Sequence, residues 1–83
     1  MAISIELNEI SDAEIREKAE SAIRGSIGDR PKEEEWKVWI YSGGSYCQVI
    51  VKGPSQRRER LFFNDTCTLP NKIREWLDAY PFR

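Results

Sequence analysis

The chain has 83 residues, no histidine, and 13 basic against 14 acidic side chains, for a formal net charge of −1. A domain of this size buries only about 60% of the surface its unfolded chain exposes, which allows one small core and no second domain. The missing imidazole removes every Ser-His and Cys-His nucleophile pair together with the commonest general base and metal ligand, and no apolar run approaches the roughly 20 residues of a membrane span.

The start Met-Ala-Ile-Ser lacks the basic and apolar regions of a secretion signal, so a cytoplasmic protein is expected, with Cys47 and Cys67 kept as thiols. Two cysteines so far apart are too few for a tetrahedral metal site, and no metal or cofactor is expected. Cys47 reads as a small core residue.

In chain order, Ile3, Ile5 and Leu7 alternate with Ser4 and Glu6, which predicts a short N-terminal edge strand. Ser11-Asp12-Ala13-Glu14 reads as a capping box, with Ile10 and Ile15 as a hydrophobic staple across the first turn of a helix. Ile15, Ala19, Ala22, Ile23 and Ile27 form its apolar stripe, while Glu14 with Lys18 and Glu20 with Arg24 are spaced to pair on its outer face. The helix should stop near Gly28. Gly25-Ser26-Ile27-Gly28 has the spelling of the GxxG loop of KH domains, but two glycines at a helix end, followed by Asp29 and Pro31, read as a stop.

Residues 36–41 and 46–52 alternate as strands around Ser42-Gly43-Gly44-Ser45, a hairpin signal. With Gly43-Gly44 as the loop, Ile40 faces Cys47, Val38 faces Val49 and Trp36 faces Val51 on a wholly apolar side. The other side carries Lys37, Trp39 and Tyr41 beside Tyr46, Gln48 and Ile50, with Glu35 meeting Lys52 at the end. A third strand, residues 57–63, follows Gly53-Pro54-Ser55-Gln56. A three-residue loop at 54–56 keeps apolar residues together, setting Leu61 against Val49 and Phe63 against Cys47. Arg58, Arg60 and Phe62 then join the mixed side, and Glu59 is left beside Val51 at the strand end. The second helix should start around Pro70 and run to about Tyr80 before Pro81, with Ile73, Trp76, Leu77 and Tyr80 as its stripe.

These elements predict a two-layer α+β domain of α-β-β-β-α order: a three-stranded antiparallel meander, both helices on one face, and a short N-terminal edge strand. The mixed sheet face is left uncovered. Lys37, Trp39, Tyr41, Tyr46, Arg58, Arg60 and Phe62 are the candidate binding residues on it.

Catalysis is not expected. A glycosidase-like carboxylate pair needs a cleft that so small a domain rarely has, and neither glycine pair is followed by the Lys-Ser or Lys-Thr of a phosphate loop. The face instead suggests a binding module. Aromatic residues and arginine are the types that anchor protein interfaces, so a protein partner or a second copy is the preferred reading. Single-stranded RNA is the alternative, because rings beside cations also make stacking platforms. Charge argues against it: residues 1–35 hold ten acids and five bases, and residues 36–83 eight bases and four acids. A polyanion would be repelled from the first side. Lys32-Glu33-Glu34-Glu35 reads as a solvated charge run. The element order is also that of double-stranded RNA-binding domains, yet their contact positions are here an acidic helix, a short Ser-Gly-Gly-Ser turn, and only Lys72 and Arg74. Order without those residues makes no family match.

Overall fold

Branched and aromatic residues alternating with polar ones build a four-stranded mixed sheet, and two amphipathic helices lie on one of its faces. The computed structural model describes residues 3–28, 34–54, 56–63 and 68–79. In chain order the elements are β1 (Ile3–Asn8), α1 (Ala13–Ile27), β2 (Trp36–Gly43), β3 (Tyr46–Lys52), β4 (Arg57–Phe63) and α2 (Leu69–Ala79). The sheet runs β1-β2-β3-β4, with β1 parallel to β2 and the other neighbours antiparallel. The meander, the two covering helices and the edge strand all form. The parallel pairing of β1 depends on α1, because parallel neighbours need a long crossover. Lys32, Glu33, Thr66, Cys67, Tyr80 and Pro81 lie outside the described residues. No described helix is long and apolar enough to cross a membrane.

The cap of α1 is Asp12, whose Oδ1 accepts the Ile15 N–H at 3.1 Å. The capping-box pattern puts the cap one residue earlier, at Ser11. Aspartate and serine cap about equally well, so neighbouring positions compete, and the burial of Ile10 in the core fixes where the chain turns into the helix. Asp12→Ala should cost about 1 kcal/mol, read as a lowered urea midpoint at unchanged m-value. At the other end Gly28 takes φ +75° and its N–H donates to the Arg24 carbonyl at 2.9 Å. Glu14 and Lys18 pair at 2.9 Å, and that hydrogen bond raises the Lys18 pKa. Glu20 and Arg24 turn to β1 instead of to each other. Asn8 Nδ2 donates to Glu20 Oε2 at 3.0 Å and Arg24 Nη1 to the Ile3 carbonyl at 3.4 Å, tying the helix to the edge strand.

The β2–β3 register pairs Ile40 with Val49 and Val38 with Val51, two residues along from the expected pairing. Gly44, at φ +60°, is the first turn residue, while Gly43 is an ordinary strand residue. Positive φ at that position alone is the requirement of a type II′ turn, whereas a Gly43-Gly44 loop of type I′ would need it twice. The shift is even, so every side chain keeps its face. The β3–β4 register is different by one residue: Cys47 pairs with Phe62 and Val49 with Arg60. Every side chain of β4 therefore lies on the face opposite to the one expected. Turn geometry is the cause, since the Gly53 N–H donates to the Gln56 carbonyl at 2.7 Å and closes a tighter turn than a three-residue loop.

Between sheet and helices, Trp36, Val38, Ile40, Cys47, Val49 and Val51 meet Ala19, Ile23 and Ile27 of α1 and Leu69, Ile73, Trp76 and Leu77 of α2. Phe62 joins them, its ring edge-on to Trp76 at 5.7 Å. Burial pushes the Cys47 thiol pKa up, with the charge of Glu9 adding to the effect. Cys47 is thus a neutral packing residue, as its position in the strand suggested.

Candidate interaction face

No described helix or strand packs on the other face of the sheet. Because pairing fixes which residues stand side by side, that face resolves into rows across the strands. The first row is Ser4, Lys37, Lys52 and Arg57, and the second is Leu7, Trp39, Ile50 and Glu59. The third is Tyr41, Gln48 and Leu61, and the fourth, beside the β2–β3 turn, is Gly43, Tyr46 and Phe63. Leu7 reaches this face through an irregularity in β1 between Ile5 and Leu7, which breaks the simple alternation expected there. Ile3 and Ile5 pack against the core instead.

Exposure follows the rows. Tyr41 is 40% exposed, Tyr46 48%, Leu61 60% and Phe63 64%, whereas Trp39, Ile50 and Leu7 are half-buried. Tyr46 and Phe63 stack with ring centroids 5.3 Å apart. At the basic end, Arg57 Nη2 is 3.1 Å from Glu59 Oε2, which also accepts from Gln48 Nε2 at 3.4 Å. Lys37 and Lys52 stand directly opposite each other, and among the described residues neither forms an ion pair. Like charges so placed are destabilising. Lys37, Lys52 and Arg57 gather the cations at this end, where Glu59 pairs with Arg57 and Glu35 lines a shallow hollow beside Lys37 and Lys52, so the basic row is partly balanced.

Of the residues expected to form a site, Lys37, Trp39, Tyr41 and Tyr46 are brought together here. Arg58, Arg60 and Phe62 are not, because the one-residue register difference turns them to the helix side. Arg58 is half-buried and its Nη2 donates to Gln56 Oε1 at 3.3 Å. The Arg60 guanidinium lies 5.8 Å from the Phe62 ring centroid. Arg60, Phe62, Lys72, Glu75 and Trp76 line a groove of about 340 Å³ between β4 and α2. The open face gains Leu61, Phe63 and Arg57 in exchange. Leu61-Phe62-Phe63 is a continuous apolar run with no alternation, so only the turn could decide which of these residues face outward. Lys52 and Ile50 were legible on the face but stood outside the aromatic cluster singled out from the sequence.

Nothing on the face has the makings of a metal centre: no group of three His, Cys, Asp or Glu positioned to hold an ion occurs among the described residues. What the arrangement offers is apolar anchorage with a cationic margin. No family model, curated protein or solved structure matches this chain.

Proposed function

We propose that the chain is a non-catalytic interaction module that binds a protein surface, from another chain or a second copy, through the open sheet face. The observation that carries this reading is the contiguous exposure of Leu61, Phe63, Tyr41 and Tyr46 beside Trp39 and Ile50. Monomeric proteins seldom leave so many large apolar side chains adjoining on one face, and aromatic residues are the usual energetic anchors of interfaces. The sheet edges are blunted in contrast to the face. β4 carries Arg57, Arg58, Glu59 and Arg60 along its exposed edge and β1 is short and irregular, both devices that discourage strand addition.

Single-stranded RNA is the weaker reading. A stacking platform interleaves rings with cations along a groove, whereas here the cations occupy one end row and aliphatic Leu7, Ile50 and Leu61 stand among the rings. Arg58 and Arg60, the cations that would have tracked a phosphate backbone, lie on the other side of the sheet.

Site-specific photo-crosslinkers at Tyr41 and Phe63, compared with crosslinkers at Arg16 and Arg74 on the helices, test the reading in cells that make the protein. Adducts confined to the sheet positions are expected. Adducts confined to the helix positions, or spread equally over both sets, would overturn it. Leu61→Glu should remove the sheet adducts while changing stability by no more than about 0.5 kcal/mol, because the side chain is already mostly in water.

A further inference from the structure

We infer that the occupant of the open face is a second copy of this chain, the two sheets stacked face to face about a two-fold axis that runs across the strands. This rests on the interaction-face reading above and specifies the partner and its orientation. The face is polarised along the strands: Lys37, Lys52 and Arg57 stand beside Ser4 in the first row, the Tyr46–Phe63 stack occupies the fourth, and the two rows between are largely apolar.

Two isologous ways of stacking such a face are available. With the two-fold parallel to the strands, the basic row of one copy lies over the basic row of the other, about 10 Å away across the sheet spacing. Lys37 then faces Lys52 of the second copy, adding to a like-charge contact that each copy already carries within itself. With the two-fold across the strands, the direction of the rows is reversed. Row one meets row four of the other copy, row two meets row three, and each strand lies over its own counterpart.

The second arrangement is the better matched of the two, although it also sets Glu59 over Leu61 and Lys37 over Gly43 of the second copy. Lys52 stands over Tyr46 of the second copy and Arg57 over Phe63 of the second copy, the geometry of cation–π contacts. Trp39 meets Tyr41 of the second copy. The two basic rows end up at opposite ends of the sandwich, separated along the strands by six residues or about 20 Å. That exceeds the Debye length of about 8 Å at physiological salt, so their mutual repulsion is screened. Aligned packing within about 30° is the ordinary relation of stacked twisted sheets; it keeps the order of the rows and slides the end rows sideways by about 5 Å, a distance that long lysine and arginine side chains span.

The area sets the strength. Four strands about 4.8 Å apart and about 20 Å long make a plate of about 400 Å², about half the roughly 800 Å² per partner of a standard interface. The dimer should accordingly be weak and transient, dissociating at tens of micromolar or above.

Light scattering and sedimentation of the full chain across about 1–200 μM, with circular dichroism to verify folding, test the inference. The expected result is a mass rising from 9.7 kDa toward twice that value, with Leu61→Glu monomeric throughout. Tyr46 is half-exposed, so its variants should fold. Tyr46→Glu sets a carboxylate opposite Lys52 of the second copy and should retain the dimer while making it salt-sensitive. Tyr46→Lys sets a cation there and should weaken it about tenfold or more. A wild-type chain monomeric at every concentration, a dimer that survives Leu61→Glu, or equal weakening by both Tyr46 variants would overturn the inference. A monomer whose sheet-face crosslinks capture a different protein would end the self-pairing and leave the interaction-face reading standing. A monomer that instead binds labelled single-stranded RNA with steep salt dependence would end both.

Discussion

Trp36→Ala is expected to destabilise the domain by about 3–5 kcal/mol, the range for removing a large aromatic side chain from a core. An 83-residue domain has a total stability of only about 4–12 kcal/mol, at 0.05–0.15 kcal/mol per residue, so this change removes a large share of it. Trp36 opens β2 and is 1% exposed, and its Nε1 donates to Glu34 Oε1 at 3.0 Å. The ring also explains why residue 53 is glycine. A Cβ there would come within 2.7 Å of two Trp36 ring carbons, closer than such atoms approach in real proteins. Gly53→Ala should therefore cost about 1–3 kcal/mol as an overpacking change, because the fully enclosed ring has no room to retreat. The two effects share one contact and will not add. In a Trp36→Ala background the obstacle is gone, and Gly53→Ala should cost about 0.5 kcal/mol or less. Urea titrations of the two single variants and the double variant, followed by far-ultraviolet circular dichroism, measure that coupling. Additive costs would show that residue 53 is constrained by its turn and not by the ring.

The turn around Gly53 is also where sequence and structure part company, and the reason is parity. In the β2–β3 hairpin the expected register was wrong by two residues, yet Trp36, Val38, Ile40, Cys47, Val49 and Val51 were all correctly placed in the core. Side chains alternate with a period of two, so an even slip costs nothing in facing. In the β3–β4 hairpin the slip was one residue, and Arg58, Arg60 and Phe62 exchanged faces with Arg57, Leu61 and Phe63. The hydrophobic pattern gave no protection there. Leu61 and Phe63 inward satisfies two apolar residues and Phe62 inward only one, so a count of side chains favours the wrong answer. Glu59, stranded beside Val51 in that register, was the local sign of trouble. In the observed register Glu59 is on the open face with Arg57, and the misfits are Arg58 and Arg60, whose long side chains reach water at the margin of the sheet. The helices were legible because their stripes repeat over several turns. The candidate site was half legible, since β2 and β3 retained their facing and β4 did not.

Phe62→Ala should cost about 3 kcal/mol, whereas Phe63→Ala and Leu61→Ala should each cost about 1 kcal/mol or less, although all three remove apolar side chains from one strand. Phe62 is 8% exposed and meets Trp76 edge-on, so its loss leaves a void between β4 and α2 that the edge strand can only partly close. Phe63 loses the stack with Tyr46 but little burial, as it is 64% exposed, and Leu61 is 60% exposed. A register one residue away would reverse the ranking, making Leu61 and Phe63 the expensive positions and Phe62 nearly free. Urea midpoints of the three variants thus decide the facing of β4 without any knowledge of a partner. The same variants separate folding from binding. Phe63→Ala should weaken association at nearly unchanged stability, because its ring contributes to the open face and not to the core. Phe62→Ala should affect association only in proportion to the unfolded fraction it creates, so its affinity corrected for that fraction should equal that of the unsubstituted chain, whereas that of Phe63→Ala should stay weaker. Adjacent residues of one strand then carry two different tasks, Phe62 holding β4 against α2 and Phe63 presenting the surface that this packing turns outward.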